Sequence, residues 1–150
     1  MSNLGQTILI RTDLFDMDQD VGLISAQVAH IHMELMRKMF FDNSIVDDKG
    51  IHCHVKDLNT SRMSGFKENL LSWLDCPYIF VKQVPNAEAL KHFYELAIEY
   101  ELPVNEWKDT VYVRLSKTMK QAFPNTLVGI SIGPADADAI RTVVGDLPLL

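Results

Sequence analysis

Near its start the chain reads Thr7-Ile8-Leu9-Ile10-Arg11-Thr12-Asp13, an apolar and partly β-branched run that ends in polar residues. Such a run predicts a buried strand that delivers its carboxyl end to a loop. From Val21 to Phe41 apolar residues recur at helical spacing, which predicts a long amphipathic helix after this strand. A strand followed by a helix is the first unit of an α/β fold.

The rest of the chain continues this alternation of extended and helical segments. The predicted elements are, in order, a short helix over Phe66 to Leu74, a strand over Tyr78 to Val84, a helix over Ala87 to Tyr100, an extended segment from Leu102 to Trp107, a strand over Thr126 to Pro134 and a last helix over Ala135 to Val143. This order predicts a mixed four-stranded sheet with helices on both faces.

Residues 42–61 interrupt the pattern. They are richer in Asp, Asn, Ser and Gly and lack a sustained period, which predicts an irregular excursion or a short hairpin around Ile51 to Val55. The chain has 150 residues and no internal repeat, low-complexity tract or linker, so we expect a single compact α/β domain over residues 1–150.

Composition bounds the function and the compartment. Fourteen Lys and Arg against twenty Asp and Glu give a net charge of −6, which argues against a protein that coats nucleic acid by bulk charge. Any RNA contact would need a local basic patch. No run approaches the ~20 apolar residues of a membrane helix, and the start of the chain lacks the features of a signal peptide. With only Cys53 and Cys76 as thiols, we expect a cytoplasmic protein with no membrane partner.

Several short strings together resemble type II peptidyl-tRNA hydrolases, and their order and spacing cover nearly the whole chain. They are Ile10-Arg11-Thr12-Asp13-Leu14, Ser25-Ala26-Gln27-Val28-Ala29-His30, Val81-Lys82-Gln83-Val84, Gly129-Ile130-Ser131-Ile132-Gly133-Pro134-Ala135 and the closing Gly145-Asp146-Leu147-Pro148-Leu149-Leu150. The resemblance implies a small α/β domain, usually a homodimer, that hydrolyses the ester between a peptide or N-blocked amino acid and tRNA. It implies no cofactor and no metal.

The resemblance also supplies candidate catalytic residues. Lys82 is similar to the family's strand-end lysine, Asp109 to its aspartate, and Gln27 and His30 match the helix motif, while Thr118 is a looser match to a family threonine. A carboxylate can deprotonate water, a lysine can stabilise an oxyanion, and an amide can hold substrate or water. Without the resemblance, an Asp or a Lys at a strand end is usually a solvated surface residue.

Two departures from the family pattern bear on RNA binding. Leu23 stands where the family has a lysine, and the approach to the helix, Asp16 to Asp20, is acidic. These carboxylates either favour the helix N-terminus or mark a change of ligand. The second departure is an insertion from Thr110 to Gln121. Its three cations, Arg114, Lys117 and Lys120, form either a relocated RNA contact or an ordinary exposed turn.

Two functions therefore stay open at the level of sequence. The first is a peptidyl-tRNA hydrolase-like enzyme that uses Asp109 and Lys82. The alternative is a family member that has lost or changed the reaction and binds a cationic partner through its acidic loop. A metal site at His52 and His54, which would share one face of a strand, is a minor alternative.

Overall fold

The computed structural model describes residues 3–37, 44–47, 50–53, 72–75 and 77–150 of the chain. Its elements are, in chain order, β1 (Leu4–Arg11), α1 (Val21–Met36), β2 (Ser44–Asp47), β3 (Gly50–Cys53), β4 (Ile79–Val84), α2 (Ala87–Glu99), β5 (Val104–Arg114), β6 (Lys120–Asp136) and α3 (Ala137–Val144). A single helical turn lies at 72–75.

The main sheet has the strand order β4-β1-β6-β5. β1 and β4 are parallel, and α1 lies between them in the chain, whereas β6 runs antiparallel to both β1 and β5. A parallel pair needs a long crossover, whereas neighbouring antiparallel strands can be joined by a hairpin. The predicted mixed four-stranded sheet is confirmed.

Each face of the sheet is covered by helix. Ile10, Val111 and Val128 pack with Ile24 of α1 on one side, which we call the α1 face. Leu9 points the opposite way and packs with α2 and α3 on the other side, the α2/α3 face. Successive side chains of a strand project to opposite faces, so a strand covered on both sides is apolar throughout. The prediction of helices on both faces is confirmed.

The helix boundaries follow local signals. α2 begins at Asn86, whose side chain accepts a hydrogen bond from the Ala89 backbone N–H at 3.0 Å, an N-cap that stabilises a helix by about 1 kcal/mol. α1 begins at Val21 as predicted and is described to Met36; the remainder of that predicted helix, at 38–41, lies outside the described residues. The helix predicted over Phe66 to Leu74 lies mostly outside them.

Within the predicted excursion at 42–61, β2 and β3 form a two-stranded hairpin that pairs Ser44 with Cys53 and Asp47 with Gly50. The hairpin reading is therefore the one observed, slightly earlier in the chain than Ile51 to Val55. The other residues of the excursion lie outside the described ranges.

The largest difference from the sequence prediction lies between β5 and β6. The segment read as an inserted turn is a long hairpin in which Arg114 pairs with Lys120. β1 pairs with β6 only from Gly129 onward, so residues 110–125, the hairpin extension, project beyond the rest of the sheet. Residues 120–125 are exposed and lack apolar alternation, so no burial pattern signals this part of the strand.

A glycine lets α1 approach the sheet closely. A Cβ atom at Gly129 would lie 2.5 Å from Cδ1 of Ile31 and 2.6 Å from the carbonyl oxygen of Leu9. Gly129 pairs with Trp107 of β5 in the sheet. The absent side chain thus places α1 near the middle of β5.

Candidate active site

Gln27 is a buried polar side chain at the contact between α1 and β5. Its Oε1 accepts a hydrogen bond from Nε1 of Trp107 at 2.9 Å, and its Nε2 donates to Oδ2 of Asp109 at 2.9 Å. The indole nitrogen is only a donor and a carboxylate is only an acceptor. The two partners therefore fix which end of the amide faces the carboxylate.

Asp109 lies two residues after Trp107, so both project to the α1 face of the sheet. Its second oxygen, Oδ1, accepts from the backbone N–H of Thr110 at 2.7 Å. The side chain is 32% exposed. The carboxylate is thus oriented through both oxygens while part of it faces solvent.

His30 lies three residues after Gln27 on α1, and positions i and i+3 share one side of a helix. Its Nδ1 is 3.8 Å from Oδ2 of Asp109, beyond hydrogen-bonding distance, and its ring centroid is 5.5 Å from that of Trp107. The His30 side chain is 48% exposed. The imidazole and the carboxylate therefore border the same solvent-facing space.

A depression of about 330 Å³ adjoins this pair. It is lined by His30, Met33, Glu34, Met36, Arg37 and Trp107. Two of these residues, His30 and Trp107, also belong to the cluster around Gln27 and Asp109. A molecule seated in the depression would contact the histidine directly.

Lys82 lies elsewhere. It is on β4, at the opposite edge of the sheet from β5, and it pairs with Leu9, whose side chain belongs to the α2/α3 face. Three strand spacings separate β4 from β5, roughly 14 Å. Lys82 Nζ donates to the carbonyl oxygens of Val144, Gly145 and Leu147 at 3.0–3.1 Å. The structure therefore does not bring Lys82 and Asp109 together.

Thr118 lies at the tip of the hairpin extension, where its backbone N–H lies 3.4 Å from the Ser116 hydroxyl. Five residues of strand, roughly 17 Å, separate Asp109 from Arg114 at the tip. The threonine paired with Asp109 in the sheet is Thr126 of β6. Thr126 and Trp107 were both missed by sequence reasoning; the signal for Trp107 was its position two residues before Asp109 in an extended segment.

Comparison with known proteins agrees with the motifs. The family model described as peptidyl-tRNA hydrolase PTH2 matches residues 4–150. The chain belongs to this peptidyl-tRNA hydrolase family. A peptidyl-tRNA hydrolase of Sulfurisphaera tokodaii is 37% identical over 145 residues, covering 95% of this chain and 95% of that protein. One of Sulfolobus acidocaldarius is 30% identical over 145 residues, covering 95% and 97%. The resemblance seen in the sequence is confirmed.

The acidic approach of this peptidyl-tRNA hydrolase family member is largely engaged within the protein. Asp13 accepts two hydrogen bonds of 2.7 Å from Arg11, which raise the pKa of that guanidinium further above its ordinary value. Asp16 accepts from two backbone N–H groups of its own loop. Asp20 lies 3.7 Å from Arg114. These contacts account for the carboxylates by local structure, so nothing here favours a cationic partner.

Leu23, the residue in place of the family's lysine, has a packing role. It is partly buried against the cluster of Ile10, Phe15 and Ile24 under α1. A lysine here would have to leave that contact to reach solvent. Any cation that contacts RNA in this peptidyl-tRNA hydrolase family member must therefore come from another element.

Among the residues that the structure describes, no three His, Cys, Asp or Glu side chains come close enough to hold a metal ion. His54 and the side chain of His52 lie outside that set. In the described parts of the chain, no helix is long and apolar enough to cross a membrane.

The Trp107 indole makes a testable contribution to this site. We expect Trp107→Phe to lower the free energy of unfolding by about 1–3 kcal/mol, because the buried Oε1 of Gln27 loses its donor. Urea denaturation measures the change. In a Gln27→Met background the same substitution should cost less, since the buried oxygen is absent; an equal cost in both backgrounds would contradict the assigned hydrogen bond.

Proposed function

We propose that this protein hydrolyses the ester that joins a peptide, or an N-blocked amino acid, to tRNA, with Asp109, Gln27 and His30 at its reacting centre. The observation that carries the proposal is the buried Gln27 amide, which is fixed by Trp107 and orients a partly exposed Asp109 carboxylate beside His30. Family membership supports the ester substrate.

In the proposed reaction, a water molecule in the space between Asp109 and His30 attacks the ester carbonyl carbon. The Asp109 carboxylate accepts a proton from that water, and the His30 imidazole can donate a hydrogen bond to the developing oxyanion. When the C–O ester bond breaks, the proton held by Asp109 passes to the ribose oxygen that leaves. The products are the free peptide acid and tRNA, and no cofactor or metal is assigned a role.

Gln27 is a positioning residue in this scheme. It is 4% exposed, so it acts on the carboxylate and has little surface for the substrate. We assign Lys82 a structural role, because its three carbonyl partners lie at and just beyond the last turn of α3. Thr118 has no contact with Asp109 across the length of the hairpin, so Thr126 is the better candidate for a threonine near the reacting carboxylate.

Three broader expectations belong to the same proposal. Residues 1–150 act as one domain, the protein is a homodimer, and it works in the cytoplasm, where ribosomes release peptidyl-tRNA. Sedimentation equilibrium would test the dimer, with a monomer mass at micromolar concentration counting against it.

Hydrolysis of N-acetylaminoacyl-tRNA by the purified protein tests the proposed reaction. We expect release of N-acetylamino acid with many turnovers, unchanged by a metal chelator. The same tRNA carrying an unblocked amino acid serves as a comparison substrate and reports preference for an N-blocked acyl group. An absence of turnover at enzyme concentrations above that of the substrate would overturn the proposal.

A further inference from the structure

The hairpin extension, residues 110–125, differs in charge from the rest of the chain. It holds three of the 14 Lys and Arg residues and none of the 20 Asp and Glu residues. Arg114 is partly neutralised by Asp20 at 3.7 Å, which leaves Lys117 and Lys120 as its exposed cations at the tip. This excess of positive charge stands out in a chain whose net charge is −6.

An aromatic side chain lies between these lysines and Asp109. Phe123 pairs with Val111, which projects to the α1 face, and cross-strand partners share a face of the sheet. Asp109 and Val111 are two residues apart on β5, roughly 7 Å. Phe123 is 39% exposed. Along one face, the order is therefore carboxylate, exposed ring, then cations.

This order fits one class of ligand. Exposed aromatic rings stack on unpaired bases, and nearby cations contact the phosphates of the same strand. The ester of the proposed substrate lies on the terminal ribose, so the strand that leads to Asp109 must be the 3′ end of the tRNA. Double-stranded RNA offers no unpaired base for the ring.

We infer that the hairpin extension binds the single-stranded 3′ end of the substrate tRNA, with Phe123 stacking on a base and Lys117 and Lys120 contacting phosphates. The inference rests on the proposed function for the choice of RNA. It also answers where this protein carries the positive charge that is missing at Leu23. The RNA path runs from the tip of the hairpin toward the space between Asp109 and His30.

Fluorescence anisotropy with deacylated tRNA tests the inference without any reaction. For Phe123→Ser we expect the Kd to rise about tenfold, whereas Phe123→Trp should bind like the wild type because it keeps a stacking ring. Tyr112→Ser is the matched control: Tyr112 is an exposed aromatic of the same strand pair but projects to the opposite face, and its loss should change the Kd less than twofold.

The charge contribution is measured by the salt dependence of binding. In Lys117→Gln/Lys120→Gln, the slope of log K against log salt should fall by about 2, one for each lost phosphate contact. Lys91→Gln/Arg141→Gln removes two exposed cations from α2 and α3 and should leave the slope unchanged. Thermal melting checks that each variant is folded.

Two results would overturn the inference: wild-type affinity in Phe123→Ser, or equal competition by poly-glutamate and by single-stranded RNA, which would show recognition of negative charge alone. Failure of the proposed reaction is separable. If the wild type binds tRNA, the hairpin variants bind weakly and no ester is hydrolysed, the proposed function fails and the RNA site stands. If the wild type hydrolyses ester and the hairpin variants keep its Kd and KM, the inference fails alone.

Discussion

Asp109→Asn is expected to lower kcat for N-acetylaminoacyl-tRNA by at least about 100-fold, the usual size of a lost general base, and to change KM by less than about twofold. The carboxylate now accepts hydrogen bonds through both oxygens, from Gln27 and from the Thr110 backbone. An asparagine has one acceptor oxygen, so one of these donors loses its partner. The variant loses the base and also the symmetry that holds it in place.

Single-turnover hydrolysis, together with the melting temperature of each variant, measures this effect. Asp138→Asn is the matched control, because Asp138 is an exposed carboxylate on α3, on the opposite face of the sheet. Its kcat should equal that of the wild type. A kcat for Asp109→Asn within threefold of the wild type would remove Asp109 from the reaction.

Lys82→Met is expected to destabilise the protein by about 2 kcal/mol, since hydrogen bonds to charged groups contribute about 1.5–3 kcal/mol each in less exposed settings. The ammonium binds carbonyl oxygens of Val144, Gly145 and Leu147, where α3 ends. Cations near a helix C-terminus also complement the helix dipole. For a domain of this size the melting temperature should fall by roughly 5 °C.

Urea denaturation and hydrolysis assays of the same preparation separate the two roles considered for Lys82. Well below the melting temperature, we expect Lys82→Met to keep most of the wild-type kcat. Lys91→Met, on the surface of α2, controls for the loss of a charge. A 100-fold fall in kcat with an unchanged melting temperature would assign Lys82 to the reacting centre after all.

Sequence patterns predicted the sheet because its strands are covered on both sides. β1 is apolar from Ile8 to Ile10, and the helical period of α1 begins at Val21, so local burial patterns sufficed. The hairpin extension escaped prediction for the opposite reason. Its outer residues are exposed, and they are strands only because their backbones pair with each other.

The candidate site was predictable only in part. The motif supplied Gln27, His30 and Asp109, but the hydrogen bond from Gln27 to Asp109 joins residues 82 positions apart and needs the tertiary fold. The same motif logic grouped Lys82 with Asp109, although β4 and β5 are opposite edges of the sheet. Strand order is a long-range property that short strings do not encode.

Residues 148–150 also shape how this molecule meets other molecules. The Gln83 N–H donates to the Pro148 carbonyl at 3.0 Å, and the Leu150 N–H donates to Val81 at 3.0 Å. These bonds occupy backbone groups on the outer edge of β4 that would otherwise be open to a strand from another protein. The short segment therefore guards a sheet edge against intermolecular β-pairing. Any self-association of this protein must use a surface other than the edge at 81–83.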